Sequence, residues 1–407
     1  MRGIGLGSAR VGYLVMSGAA FFVAALRADP AEMGRFALAS AYAGIAVVVL
    51  DMGLSRVVLM KFAVRPRGSD AMAQIVRVRA PVYALLAALL LVLARAVPDL
   101  TGAAGLVASR LALGDVEALN IAGRRSTATA IATLVNGLIT MAGLVLAAPH
   151  GVAAMLWASV LGNLVALTVL VVSAWDARPD ARASTERLRW QDAWAFGLMA
   201  VVGVVYLRSS IAVLGPIGVL AVRIASFAVA FKLFELIVAM RGALVQRLAV
   251  DLATTADPVP LMRQSILQIS VVSGSAGLLA VLVTLGLRTG SLLGGYPQLW
   301  DLALVVAAST PLIMSHCVTS AWVYSRSGSV AALLDSVLLA LVAFTGAALG
   351  ALVDLRLVMF ATCVMEYVSF LAFSRRVRPT FLRSTRTWMP PLLTSLPGLV
   401  VASVVIR

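Results

Sequence analysis

Residues 36–59 read FALASAYAGIAVVVLDMGLSRVVL, an apolar run that carries Asp51 and Arg56 near its end. An apolar segment of about 17–25 residues is long enough to cross a lipid bilayer. A charge at mid-bilayer costs at least about 2.5–3.5 kcal/mol, so charges in such a segment face a bundle interior or a wet cavity. We therefore predict a membrane helix here, with both charged side chains facing protein or water.

Segments of this kind recur along the whole chain of 407 residues, of which 61% are hydrophobic and 13% charged, with a mean hydropathy of +0.99. Soluble domains are roughly 45–50% apolar and about 25% charged. The composition predicts an all-α polytopic membrane protein. The predicted spans lie at about 8–26, 36–59, 80–97, 101–122, 127–148, 152–175, 193–214, 219–247, 264–287, 299–325, 329–350 and 354–374, with a weaker thirteenth at about 389–406 that Pro390, Pro391 and Pro397 interrupt.

The net charge of +15 is compatible with nucleic-acid binding, but the positions of the basic residues argue against it. Most of them fall in short loops on the side of the N-terminus, and Arg77 and Arg79 are assigned to one such loop. Cytoplasmic loops of membrane proteins carry an excess of Lys and Arg. We therefore predict a cytoplasmic N-terminus and no nucleic-acid partner.

A basic connector, DARPDARASTERLRWQD at residues 176–192, divides the twelve main spans into six and six. The predicted domains are an N-terminal six-helix lobe at 1–177, a cytoplasmic linker at 178–191, a C-terminal six-helix lobe at 192–375, and a basic loop with the weak span at 376–407. No phosphate-binding loop, metal-ligand spacing or catalytic constellation is present in the sequence, so no cofactor, metal or enzymatic activity is predicted.

Charged residues inside the spans are the candidate functional residues. The basic candidates for a cationic substrate-binding cavity are Arg56, Arg110, Arg208, Arg223 and Lys232, and the acidic candidates for gating or coupling are Asp51, Asp115, Glu117 and Glu235. Spans seven and eight hold more cations than acids, which favours an anionic ligand. Two alternatives stay open: Lys232 and Glu235, at i and i+3, form a local ion pair, and Arg56 and Arg241, near span ends, snorkel to the interface.

Two stretches resemble a known family. Residues 27–63, RADPAEMGRFALASAYAGIAVVVLDMGLSRVVLMKFA, are similar to the opening of polysaccharide-biosynthesis membrane proteins, the Wzx-type oligosaccharide flippases, with Met52 in place of the usual leucine. Residues 195–235, AFGLMAVVGVVYLRSSIAVLGPIGVLAVRIASFAVAFKLFE, resemble the seventh and eighth helices of that family. Relatives often carry an acid and then a base in the seventh helix, whereas here Ser209 and Ser210 follow Arg208.

The resemblance implies the multidrug/oligosaccharidyl-lipid/polysaccharide (MOP) exporter superfamily, with two six-helix lobes related by a pseudo-two-fold axis around a central cavity. It also implies a flippase that moves an undecaprenyl-pyrophosphate-linked oligosaccharide across the bacterial inner membrane. The implied partners are this glycan, membrane lipids and the glycan polymerase or glycosyltransferases of the pathway. The alternatives are a cation-coupled MATE-like multidrug antiporter, a lipid II flippase and, from another class, a membrane enzyme such as a polysaccharide polymerase.

Overall fold

The structure is a computed structural model, and it describes residues 2–55, 57–58, 68–93, 98–122, 125–175, 194–255, 257–290, 293–326, 329–377 and 385–406. This part of the chain is α-helical and contains no β-strand. The helices with described ends are α1 (Arg2–Arg27), α2 (Pro30–Asp51), α3 (Gly68–Leu93), α4 (Pro98–Ala122), α5 (Ser126–Ala147), α6 (Val152–Trp175), α7 (Trp194–Ala212), α8 (Ala221–Thr254), α9 (Pro258–Thr289), α10 (Leu299–Ala308), α11 (Thr310–Arg326), α12 (Ser329–Val353), α13 (Leu355–Val377) and α14 (Thr385–Ile406), and a 3₁₀ turn (Ala148–His150) joins α5 to α6.

Eight helices among the described residues are long and apolar enough to cross a membrane: α2, α3, α5, α6, α9, α12, α13 and α14. The pair α10 and α11 forms a ninth candidate span, bent by 47° at Ser309. Pro311 explains the bend, because proline lacks an N–H donor and restricts the residue before it. The predicted all-α polytopic fold is confirmed, and the span predicted at 299–325 is broken rather than continuous.

Helix α2 differs from the predicted span at both ends. It begins at Pro30, where the Asp29 side chain accepts hydrogen bonds from the amides of Ala31 (2.8 Å) and Glu32 (3.3 Å). An N-cap aspartate followed by proline is a strong helix start. The helix ends at Asp51 because Met52 and Gly53 adopt positive φ angles of 46° and 77°. A single helix over 36–59 was therefore the wrong prediction, and helical conformation resumes only at Leu54.

The contacts divide the chain into two compact units, Met1–Arg208 and Ser209–Arg407. In unit 1, α5 packs against α1 and α6, and α4 packs against α6, α2 and α3. The core of this unit includes Phe36, Leu106, Met155 and Leu156, all nearly inaccessible to solvent. Helix α4 contacts α2, α3, α5 and α6, so it brings polar residues from several helices together.

In unit 2, α11 packs against α8, α13 and α9, and α14 packs along α9. Close approach of α9 to α14 depends on Gly274, where a Cβ atom would lie 2.8 Å from Thr394 Cβ. The segment Thr387–Val404 of α14 meets the length and composition of a membrane span in spite of its three prolines. The predicted correspondence of two six-helix lobes at 1–177 and 192–375 stays a prediction.

Candidate functional site: a polar cavity and a buried ionic network in unit 1

A cavity of about 280 Å³ lies within unit 1 among helices α1, α4, α5 and α6. Its lining residues are Arg10, Tyr13, Arg110, Leu113, Glu117, Ala132, Thr133, Asn136, Asn163, Ala166 and Leu170. Two arginines and one glutamate give this lining an excess of one positive charge, and two amides and two hydroxyls supply further donors and acceptors. The cavity is therefore polar and cationic at one part of its wall and apolar at another.

The charged wall of the cavity joins α1 to α4. Arg10 Nη2 donates to Glu117 Oε1 at 3.0 Å, and Arg110 lies two helical turns before Glu117 on the same helix. Residues two turns apart share a helix face, so their spacing in the sequence puts Arg110 and Glu117 on one side of α4. The structure brings these two predicted residues together, with Arg10 of α1 as a third member that was not among the predicted site residues.

The amide wall of the cavity was missed by the sequence analysis. Asn136 Nδ2 donates to Asn163 Oδ1 at 3.2 Å, and Asn163 Nδ2 donates to Ser109 Oγ at 3.0 Å. Thr140 Oγ1 donates to Asn136 Oδ1 at 3.0 Å, so the chain of hydrogen bonds crosses α4, α5 and α6. Asparagines inside apolar helices commonly bond across helices in membranes, and this residue type in a span is the signal that identifies them.

A buried ionic network lies in the same unit, around Arg79. Its side chain is 0% exposed, and Nε and Nη2 donate to the two carboxylate oxygens of Asp115, each at 3.0 Å. Nη2 also donates to Asp51, and Nη1 donates to the Leu50 carbonyl at 2.6 Å. This bidentate geometry, with a helix-terminal carbonyl as additional acceptor, uses the planar fork of donors that only arginine supplies.

Hydroxyl groups complete the network. Tyr83 Oη donates to Asp115 Oδ2 at 3.0 Å, and Ser55 Oγ donates to Asp51 Oδ1 at 2.7 Å. The Ser55 amide also donates to Asp51 Oδ1 at 3.3 Å, so Asp51 caps the helical turn that resumes after the break. Among the described residues of the network, two aspartates surround one arginine, so these three side chains together carry one negative charge in excess.

Assigning Arg79 to a cytoplasmic loop was wrong. The run KFAVRPRGSDAMAQIVRVRA resembles a loop by hydropathy, but α3 already begins at Gly68 and buries Arg79 completely. The partners Asp51 and Asp115 were predicted as gating or coupling residues, and the structure brings these two together through Arg79. Arg56, the basic residue predicted to accompany them, lies outside the described residues.

The predicted residues of α7 and α8 are not among the residues that line the cavity. Arg208 ends unit 1 and lies against α2, since a Cβ at Gly44 would be 3.7 Å from Arg208 Nε. In unit 2, Lys232 Nζ forms an ion pair with Glu235 Oε2 at 2.6 Å. This is the local i, i+3 pair that the sequence offered as one alternative. Arg223 lies in the first turn of α8 and donates to Gln298 Oε1 at 3.5 Å.

A second buried ion pair occurs in unit 2. Arg241 donates to Glu366, whose side chain is 0% exposed, and its Nη1 also lies 3.4 Å from the Ile313 carbonyl oxygen. Within the described part of the chain, Glu366 Oε1 has no hydrogen-bond partner. The sequence-based interpretation that Arg241 snorkels to the interface was therefore wrong. Arg241 of α8 instead forms an ion pair with Glu366 of α13.

These features define a polytopic all-α membrane protein with ionic groups held inside its helix bundle. No protein-family model matches the sequence, and no curated protein matches it. Solved structures match over nearly the whole chain. An outward-facing multidrug resistance MATE family transporter of the MOP superfamily is similar with a TM-score of 0.55 and 13% identity, covering 94% of this chain and 96% of its own.

An inward-facing structure of such a transporter is similar with a TM-score of 0.54 and 15% identity, covering 93% of this chain and 96% of its own. A MATE in the bent conformation is similar with a TM-score of 0.52 and 12% identity, covering 98% of this chain and 96% of its own. At these identities the likeness shows the fold. The chain thus shares the fold of MATE transporters of the MOP superfamily, as the sequence resemblance implied.

Proposed function

We propose that this protein is an alternating-access transporter that moves a polyprenyl-pyrophosphate-linked oligosaccharide across a bacterial cytoplasmic membrane. The observation that carries the proposal is the polar cavity of unit 1, whose lining has one positive charge in excess. A fold shared with MATE transporters in outward-facing and inward-facing conformations supports the transport class.

The chemistry of the cavity wall fits a glycan linked to an anion. Arginine binds phosphate oxygens with charge-assisted, often bidentate hydrogen bonds, and Arg10 and Arg110 supply that group. The amides of Asn136 and Asn163 have the donors and acceptors that sugar hydroxyls require. Ligand pockets usually measure about 300–1,000 Å³, so a cavity of about 280 Å³ would take only a part of the polar head, such as the pyrophosphate with the adjoining sugar, while the polyprenyl chain stays in lipid.

The predicted basic residues Arg208, Arg223 and Lys232 remain candidate substrate contacts in this proposal, each considered by itself. Alanine at Arg208 or Arg223 is expected to abolish glycan export with the protein retained in the membrane, and lysine at either position to restore it in part. Lysine keeps the charge but loses the planar fork. A cytoplasmic N-terminus and contact with the polymerase or glycosyltransferases complete the proposal.

The direct test replaces the cavity arginines. Arg110→Gln and Arg10→Gln are each expected to lower glycan export at least about tenfold, the effect of losing one charged hydrogen bond of about 1.5–3 kcal/mol. Arg35→Gln is the matched control, because Arg35 is also an arginine of unit 1 paired to an acid, Glu32 at 2.9 Å, but is 57% exposed. Normal export by both cavity variants at normal membrane abundance would remove the cavity from the mechanism.

A cation-coupled antiporter is the second candidate, and the Asp51–Arg79–Asp115 network favours it. One carboxylate in excess of the arginine is a group that a proton or a metal cation can neutralise. Proteoliposomes distinguish the two candidates. The flippase makes an added pyrophosphate-linked glycan accessible to a hydrolase in the opposite compartment, whereas the antiporter accumulates a cationic dye when a pH gradient is imposed.

A further inference from the structure

A cluster of charged side chains lies where several helices of unit 2 begin or end, and none of its members lines the cavity or joins the Arg79 network. It consists of Arg223, Arg288, Arg356, Asp301 and Asp354, and we call it the arginine cluster. The cluster collects the start of α8, the end of α9, the start of α10 and the start of α13. Four helix ends therefore converge on one charged group.

The aspartates connect the arginines. Arg288 Nη1 lies 3.0 Å from Asp301 Oδ1, and Arg356 Nη1 lies 3.8 Å from Asp301 Oδ2. Asp354 receives Arg356 Nη2 at 2.7 Å and Nε at 2.9 Å, and also the Arg356 backbone amide at 2.9 Å. One aspartate thus bridges two arginines, and the other is held by a single arginine.

Arg223 gives the cluster its third positive charge. Its contact to Gln298 Oε1 is long, at 3.5 Å, and it lies close enough to Asp354 to influence that carboxyl. Burial raises the pKa of Asp354, but the hydrogen bonds and charge of Arg356 and the charge of Arg223 outweigh burial, so the pKa lies below its usual 3.8. Because Asp354 stays ionised near neutral pH, three arginines face two carboxylates, and the cluster has one positive charge in excess.

Helix termini add to this charge. The first residues of α8 and α10 have no side-chain cap hydrogen bond, and their N-caps are Leu220 and Gln298. Helix N-termini carry partial positive charge and favour anions. The backbone therefore reinforces the preference of the arginines for an anionic ligand.

Apolar side chains next to the cluster are exposed. Leu220 is 71% exposed, Val353 74% and Leu352 69%, and each lies within a few residues of a cluster member. Leu287, directly before Arg288, is 39% exposed. Arginine heads beside exposed apolar side chains at helix ends are the arrangement found where a membrane helix meets the headgroup layer.

We propose that the arginine cluster binds the phosphate headgroup of an anionic phospholipid, whose acyl chains lie along Leu287, Leu352 and Val353. Arginine forms directional, charge-assisted hydrogen bonds to phosphate. Basic pockets between membrane helices bind the headgroups of anionic lipids in the same way. The exposed apolar neighbours favour a lipid over a free anion, because the acyl chains of a bound lipid can pack against them and a free anion cannot.

The test uses the full chain purified in a mild detergent. Phosphatidylglycerol and phosphatidylcholine with identical acyl chains are added in separate titrations, and the thermal midpoint and the lipid retained in native mass spectra are measured. We expect phosphatidylglycerol to raise the midpoint by several degrees and to be retained, with phosphatidylcholine having little effect. The double variant Arg288→Gln/Arg356→Gln should lose both effects, and Arg35→Gln should keep them.

A second variant covers the case in which the double variant does not fold. Arg223→Gln leaves the Asp301 and Asp354 ion pairs intact and removes only the surplus charge, so it should fold and show reduced retention. In a third titration, inorganic phosphate is added at the same concentration as the lipids, and the thermal midpoint is measured again. The proposal is overturned if both lipids act equally, if inorganic phosphate reproduces the stabilisation, or if Arg223→Gln and the folded double variant retain phosphatidylglycerol as wild type does.

Discussion

The two units of this protein hold their membrane-embedded charges differently. In unit 1, Asp51 of α2, Arg79 of α3 and Asp115 of α4 form one network with hydroxyl groups at its edges. In unit 2, apart from the arginine cluster at the helix ends, the described charges within the helices occur as pairs, with Lys232 bound to Glu235 on the same helix and Arg241 bound to Glu366 on another. Unit 1 therefore gathers charges from three helices in one network, whereas the charges within the helices of unit 2 form separate pairs.

The helix break in unit 1 explains the difference. Met52 and Gly53 leave the helical conformation, so the carbonyl of Leu50 is available to Arg79 and the Asp51 side chain turns to cap the next helical turn. In unit 2, α8 continues without interruption over Ala221–Thr254. Its cations Arg223, Lys232 and Arg241 each have a different bonded partner. A local break in one helix can therefore provide acceptors at which charged side chains from three helices meet.

The largest expected effect tests the network of unit 1. Arg79→Gln leaves Asp51 and Asp115 buried without their cation, and breaking a buried ion pair on one side costs about 3–5 kcal/mol. We expect a large drop in the thermal midpoint of the purified protein. Arg77→Gln is the matched control, since Arg77 lies on the same helix but is exposed. Equal midpoints for the two variants would contradict a network centred on Arg79.

The next effect tests the isolated pair of unit 2. Glu366→Gln still accepts a hydrogen bond from Arg241 but removes the charge, and we expect a loss of about 1.5–3 kcal/mol, the range for hydrogen bonds to charged groups. Arg241 also has the Ile313 carbonyl as an acceptor, which limits the loss. Chemical denaturation of the Glu366→Gln and Arg79→Gln variants measures the loss of unfolding free energy in each. A larger loss of unfolding free energy for Glu366→Gln than for Arg79→Gln would show that the pair of unit 2 stabilises the protein more than the network of unit 1.

A third prediction tests the helix break itself. A Cβ at Gly197 of α7 would lie 2.2 Å from the Met52 carbonyl oxygen, so Gly197→Ala must displace α7 or the break, at a cost of about 1–3 kcal/mol for overpacking. Gly203→Ala on the same helix is the control, because nothing lies within 4 Å of its Cβ position. The control should be neutral or slightly stabilising. A neutral Gly197→Ala would show that α7 does not pack against the break.

The smallest effect concerns the ion pair at the start of α13. The pKa of Asp354 is lowered in the folded protein, so its contribution to stability is present above the ordinary pKa of 3.8 and is lost as the pH falls through the lower folded value. Asp354→Asn should therefore reduce the fall in thermal midpoint between pH 7 and pH 3. An unchanged pH dependence in the variant would show that Arg356 and Arg223 do not favour the ionised carboxylate.

Several elements of this protein were predictable because their causes are local. The all-α membrane fold follows from the recurring apolar runs, and Asp29 followed by Pro30 is a local signal for the start of α2, although the predicted span began at residue 36. Lys232 and Glu235 pair because residues three apart lie on one side of a helix. Arg110 and Glu117 share a cavity wall for the same reason. In each case neighbours in sequence are neighbours in space.

Only the tertiary structure decided the rest. Arg79 joins Asp51 and Asp115, 28 and 36 residues away, and no local pattern marks a basic residue in a hydrophilic run as fully buried. Asn136 and Asn163 meet because α5 packs on α6, and Arg241 meets Glu366 across 125 residues. The sequence by itself determined that charges inside the helices need partners, because bare charges in a bilayer are costly. Which partners they have depends on how the helices pack, and this depends on side chains far apart in the chain.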